Sequence, residues 1–410
     1  MPALVTAIVR TSLGSLDESR LAFQSTTTAI IRSTGRQSSG LADARPQQAD
    51  RHQAWGTAVS LAAPPWRIPH ARSVLGTPGG GRLWVLAASR SGGPSNELFE
   101  VDPSRRRVVL RMALPPDALA AAAAHDGAVF VASPLEIDEW WSGRQERFPM
   151  PTGTEAIALA PASHSALWLA FRLGTTGGVE VGLYRLPDEV LVDAHHVAGM
   201  ANEAVASLAA APGGCWVASA PRPSLYWVPA QGGPSTYTRR YATLVAVPDA
   251  GSLTTVAVDT SGSGWVSGAT TTGRPVLWPI EAAEKIGAPR TLSARVVRLA
   301  DGLGVSPVGT GYAAVIGAKD VPGIVGASTT RAATVTLWPS LTPKGRASRD
   351  ETLDTVLVTT NTRLYAMTPP DLLLSLVADP TPVRSALRRS DASHARSQHL
   401  GRRSLLAQLR

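Results

Sequence analysis

Apolar residues along this chain fall in short blocks separated by polar and Gly-rich turns, with no long 3.6-residue stripe. One block, centred on a large residue, returns seven times: Leu83-Trp84-Val85, Val129-Phe130-Val131, Leu167-Trp168-Leu169, Cys215-Trp216-Val217, Gly264-Trp265-Val266, Gly311-Tyr312-Ala313 and Val356-Leu357-Val358. Its centres lie 46, 38, 48, 49, 47 and 45 residues apart. Outward from each centre the pattern alternates with the period of a strand. In the third repeat, residues 155–161, 166–171 and 182–187 read as three successive strands. In the fourth, residues 204–212, 215–219, 224–229 and 236–241 read as four. A period near 45 made of four strands is the spacing of propeller blades. The pattern therefore predicts an all-β chain, a seven-bladed β-propeller of four-stranded antiparallel blades with irregular N- and C-terminal tails. Small side chains in the first strand of each repeat, such as the alanines at 120–124, follow from seven inner strands converging on one channel.

The order of small-apolar strand, Gly turn, Trp-Val and Leu-Tyr is carried by Gly213-Gly214-Cys215-Trp216-Val217 with Leu225-Tyr226, and by Leu167-Trp168 with Gly182-Leu183-Tyr184. It resembles the seven-bladed propellers of bacterial two-component regulators and the related lyase-type and YVTN-type repeats. The resemblance covers about residues 70–378 and concerns architecture. Two repeats depart from it: Tyr312 replaces Trp in the sixth, and Leu357 replaces the aromatic in the seventh. A ring must also be closed, because an open blade leaves an edge able to pair with other chains. Residues 57–64 are expected to complete the blade that contains residues 363–367, with residues 372–378 competing for that role. The expected organisation is an N-terminal extension over 1–54, largely disordered or targeting, the propeller over 55–380, and a basic tail over 381–410 that forms at most a short helix.

Composition agrees: 37 glycines and 32 prolines suit turn-rich β structure rather than a helical bundle. Eleven tryptophans, mostly at repeat-equivalent places, read as packing between blades, and the Trp140-Trp141 pair is the least blade-like of them. The single cysteine, Cys215, excludes an intrachain disulfide and reads as a small buried hydrophobe. No apolar run reaches membrane-spanning length, so a cytoplasmic location is expected. The alternative is the mitochondrial matrix if residues 1–54, rich in Ser, Thr and Arg, act as a transit peptide.

The net charge of +8 is carried almost wholly by arginine, a bias that GC-rich codons alone can produce. Its placement is more informative. Arg90, Arg172, Arg222, Arg274, Arg331 and Arg363 are expected in or beside the links between second and third strands, while the second blade presents Glu136 and Asp138 there. On one rim these guanidinium groups would attract acidic partners. The tail concentrates Arg384, Arg388, Arg389, Arg396, Arg402 and Arg403, which fit an acidic protein, nucleic acid or an anionic membrane surface.

Chemistry is sparse. There is no P-loop, no dinucleotide fingerprint and no zinc-ligand spacing, so no cofactor or metal is expected. His195-His196 reads as an exposed pair on an outer strand pointing to opposite faces, and His125-Asp126-Gly127 and His164 read as first-hairpin turns. The reading favoured is a WD40-like, non-catalytic propeller that binds a protein partner as a scaffold or assembly subunit. The alternatives are an anion- or carbohydrate-sensing propeller and a lyase or hydrolase with a site at the channel mouth. A cluster of carboxylates and histidines on one rim would favour the last.

Overall fold

The computed structural model describes residues 8–10 and 59–378, apart from short segments at 80, 89–95, 142, 152, 174–177, 198–204, 220–221, 231–239, 330–332, 342–354, 360–362 and 369–370. Seven sheets, each built on four antiparallel strands, follow one another along the chain. Each inner strand touches the inner strand of the next blade, and that of blade seven touches that of blade one, so the ring is closed. The inner strand of blade two, Ala120–Ala123, is buried over its whole length. The outer strand of blade one, Arg107–Ala113, is mostly exposed. This gradient from the channel outward accounts for the alanines of the one strand and for Arg107 and Arg111 in the other.

Five of the seven inner strands have a bulge near their start, at Ala71/Ser73, Ala156/Ala158, Val205/Ser207, Ala250/Ser252 and Val296/Arg298. A bulge adds twist, which fans the strands of a blade from channel to rim. Buried hydroxyls on these strands then join neighbouring blades: Ser207 Oγ donates to the Val256 carbonyl at 3.3 Å, and Thr255 Oγ1 to the Asp301 carbonyl at 3.0 Å. The repeated tryptophans act the same way. Trp84 Nε1 of blade one donates to the Gly127 carbonyl in the first hairpin of blade two, at 2.9 Å. Trp265 Nε1 of blade five donates to the Gly309 carbonyl of blade six, also at 2.9 Å. Eight of the ten described tryptophans are buried: Trp84, Trp140, Trp168, Trp216, Trp227, Trp265, Trp278 and Trp338.

Blade seven consists of Thr355–Val358, Arg363–Thr368 and Leu372–Ala378, with Val59–Leu61 and Trp66–Arg67 from the N-terminal side as its outer edge. The clasp is thus the segment around Val59, and Leu372–Ala378 is the third strand. Ala62 N donates to the Ser375 carbonyl at 2.8 Å, and Arg67 Nε to Asp371 Oδ1 at 2.9 Å, across 304 residues of sequence. This topology corrects the seventh repeat: Val356-Leu357-Val358 belongs to the inner strand, and the second strand is Leu364-Tyr365-Ala366, which keeps its aromatic. The two apolar runs are only five residues apart in sequence, so periodicity alone could not separate them. In blade four the outer strand is Thr243–Val245, whereas Arg240–Tyr241 runs parallel to His195–His196 as a fifth strand of blade three. At the N-terminus, Ile8–Arg10 pairs with the channel-side edge of Ala120–Ala123, and the rest of residues 1–58 lies outside the described residues.

Candidate functional site

Two rims follow from the strand order, one carrying the links from second to third strands and the other carrying first hairpins and the links from third to outer strands. Arg172, near the end of Ala166–Leu173, and Arg222 and Arg274, in second-to-third links, share the first rim. Arg90 lies outside the described residues, between Arg82–Ala88 and Asn96–Asp102, which is a link of the same kind. Arg363 instead opens the second strand of blade seven and stands on the opposite rim, because the register of that blade moves by one strand. Arg331 is also outside the described residues, but the strands flanking it, Pro322–Ala327 and Thr334–Leu337, are third and outer. The tail residues Arg384, Arg388, Arg389, Arg396, Arg402 and Arg403 lie outside the described residues as well. Asp138 is no rim group: it is buried and accepts from Arg147 Nε at 3.1 Å and Gln145 Nε2 at 2.9 Å.

His195 is not exposed either. Its ring is buried with Nδ1 3.5 Å from the Tyr241 carbonyl, while His196 meets the Tyr241 ring edge-on. The covering strand Arg240–Tyr241 explains the difference. Cys215 is fully buried, and burial pushes its thiol far up, which makes it inert.

The second rim holds an arrangement of another kind, between blades two and three. Glu136–Trp141 and Arg144–Pro149 form the outer hairpin of blade two, with Ile137 opposite Phe148, Glu139 opposite Glu146, and Trp141 opposite Arg144. Alternate residues of a strand share a face, so these six line one side of the hairpin and Asp138, Gln145 and Arg147 the other. On that other side the carboxylate is neutralised by its neighbours. On the cleft side two carboxylates face each other directly.

Blade three supplies the facing wall through His164 and Ser165 of its first hairpin and Leu186 and Pro187 after its third strand, enclosing a cavity of about 520 Å³. The walls are fixed. Tyr184 Oη of blade three donates to the Pro149 carbonyl of blade two at 2.7 Å. Asp126, in the first hairpin of blade two, accepts from its own turn at Ala128 N and reaches across with Oδ2 to His164 N at 2.7 Å and His164 Nδ1 at 3.2 Å. The His164 ring in turn lies flat on Trp141, with centroids 4.4 Å apart and planes 11° apart. Between blades four and five the corresponding aspartate stays within its own turn: Asp259 Oδ1 accepts from Ser261 N and Ser263 N, its Oδ2 has no partner among the described residues, and the cavity there is about 160 Å³.

Glu139 is the anomalous group. It is only 5% exposed, and its Oε1 has no hydrogen-bond partner among the described residues. Burial first, then the carboxylates of Glu146 and Asp126, push its carboxyl up to about 7. Trp141 beside it is 41% exposed, unlike the eight buried tryptophans. A buried carboxylate without a donor and a half-exposed indole are what a packed β-hairpin avoids, so the fold alone does not account for this face. Such a cleft can receive a hydrogen-bond donor or a positive charge, or hold a proton near neutrality. His125, Asp126 and His164 lie in the turns that the sequence predicts, and the structure brings Asp126 and His164 together with Trp141 of the Trp140-Trp141 pair. Among the described residues no group of three His, Cys, Asp or Glu is placed to hold a metal ion.

No protein-family model matches this chain, and no curated protein sequence does. Solved structures do. The β-propeller domain of Cps50 (Swd1) from Myceliophteria thermophila is similar over 78% of this chain and 100% of that one, at 14% identity and a TM-score of 0.50. YCF48 bound to a D1 peptide is similar over 81% of this chain and 100% of that one, at 10% identity and a TM-score of 0.50. At these identities the likeness establishes the propeller fold.

Proposed function

We propose that this chain is a non-catalytic interaction propeller that holds a peptide segment of a protein partner at the rim cleft between blades two and three. The observation that carries the reading is Glu139, buried in a hydrogen-bonded frame yet without a donor of its own, beside a half-exposed Trp141. Interfaces of this kind combine an aromatic anchor with a desolvated polar group that only the partner satisfies. The likeness in fold to a propeller solved with a bound peptide supports the same reading. Arg172, Arg222 and Arg274 of the other rim are proposed as a second surface for an acidic protein, nucleic acid or membrane, and Arg90 and the basic tail, which lie outside the described residues, are proposed for the same partners from the sequence alone.

A random-peptide library panned on the full chain tests this. Enrichment of a shared motif whose binding Trp141→Ala weakens is the expected result. The absence of any motif above that of an unrelated propeller overturns the proposal. A second reading, acid–base catalysis, is favoured by one observation: Glu139 titrates near 7 in a cleft shared with the His164–Asp126 pair. Against it, the sole cysteine is buried and inert, and the His164 ring is already engaged by Asp126 at Nδ1 and by Trp141 on one face.

A further inference from the structure

Resting on that reading, we infer that the cleft is a receptor for one arginine side chain of the partner, its guanidinium held by the facing carboxylates of Glu139 and Glu146 and stacked on the face of Trp141 that His164 leaves free. Four observations converge on a cation. Glu139 and Glu146 are directly opposite across the hairpin, where like charges repel. Asp126 adds a third carboxylate, felt at Glu139. Glu139 Oε1 is buried and lacks a donor. The neighbouring wall is aromatic, formed by Trp141 and Phe148.

The form of the cation follows from the geometry. An ammonium is compact and strongly hydrated, and would shed that hydration to reach a carboxylate buried in the cleft. A guanidinium is planar and weakly hydrated, offers several N–H donors in a fixed fork, and stacks on aromatic faces. The chain's own candidate, Arg144, stands across from Trp141 at the exposed lip and makes no ion pair with either glutamate among the described residues. It is therefore a competitor at the entrance, and its removal favours an incoming cation.

The charged groups around Glu139 are Glu146 and Arg144 on the outer strand, Asp126 in the first hairpin of blade two, and His164 in that of blade three. Binding a cation favours ionised Glu139, so affinity rises as the pH passes upward through the range in which that carboxyl ionises.

The test uses the full chain and N-acetyl-arginine methylamide, with the citrulline analogue as its neutral isostere, followed by calorimetric titration or saturation-transfer NMR. The expected result is binding of the arginine probe at pH 8, weakened about tenfold or more at pH 5.5 and about tenfold or more by Glu139→Gln, with no binding of the citrulline probe. Arg144→Ala, a change at an exposed position, is expected to tighten binding at least about twofold. Equal binding of both probes, or binding of the arginine probe unaltered by Glu139→Gln, overturns the inference. Failure here is separable from failure of the proposed function: library peptides that bind without arginine and without dependence on Glu139 leave the interaction propeller standing and remove the arginine receptor.

Discussion

Replacing Glu139 by Gln keeps shape and removes a charge, and its effect on stability is expected to depend on pH in a calculable way. In the folded protein this carboxyl ionises near 7, against an ordinary value of 4.5. Well below 4.5 it is protonated in both folded and unfolded states and favours neither. Between 4.5 and 7 the unfolded chain ionises while the folded one does not, so stability falls as pH rises. Above 7 the loss is complete. At about 1.4 kcal/mol per pH unit, it amounts to about 3 kcal/mol at pH 8 and about 1 kcal/mol at pH 5. Glu139→Gln is therefore expected to be more stable than the parent, and its advantage is expected to grow by about 2 kcal/mol between those two conditions. Urea unfolding at both pH values reads this out. The difference between them cancels any pH-independent effect of the amide. An advantage that is the same at pH 5 and pH 8, or that shrinks as pH rises, would refute the argument that Glu139 is a buried, unpartnered carboxyl.

Other outcomes follow from the packing. Trp265→Ala, which empties a fully buried site and orphans the Gly309 carbonyl, is expected to destabilise by about 3–5 kcal/mol in the same urea assay, whereas Trp141→Ala at its half-exposed position changes stability by less than about 1 kcal/mol. Gly127 has φ +96° and a Cβ there would lie 2.8 Å from the Pro78 backbone, while Gly143 has φ +77° in open space. Gly127→Ala is thus expected to lower the melting temperature clearly more than Gly143→Ala, whose cost is about 1 kcal/mol. Arg67→Ala removes the cation that spans the ring closure to Asp371 and is expected to cost about 1–2 kcal/mol near neutral pH, less in acid where Asp371 is protonated, with earlier proteolytic cleavage near residue 67.

The ring was legible because each second strand carries one large buried residue, as at Trp84 and Trp265 where it also bonds the turn of the next blade, and this stamps a period on the sequence. Where that stamp was ambiguous the reading slipped. Val356-Leu357-Val358 and Leu364-Tyr365-Ala366 are both short apolar runs, and only closure by Val59–Leu61 decides which is innermost. The same slip carried Arg363 to the wrong rim. Residues 236–241 looked like an outer strand of blade four because a two-residue parallel pairing with blade three leaves no pattern of its own.

The cleft was hidden for a different reason, since it depends on which residues face each other across strands and across blades. Two traces of it are nevertheless in the sequence. Gly143, at a tight turn, sets a register in which Glu139 must oppose Glu146. Asp126 and His164 are 38 residues apart, the same spacing as Phe130 and Trp168, which places them at equivalent turns of adjacent blades. Their contact follows from the repeat. The charge balance around Glu139 does not, because it requires knowing that Arg147 and Gln145 serve Asp138 on the other face.

The central claim is that the cleft between blades two and three exists to be filled by a partner's positive charge. Panning one peptide library in parallel on the parent chain and on Glu139→Gln at pH 8 tests it most directly. The account predicts arginine-bearing peptides enriched on the parent and lost on the variant. The same peptides enriched equally on both would contradict it.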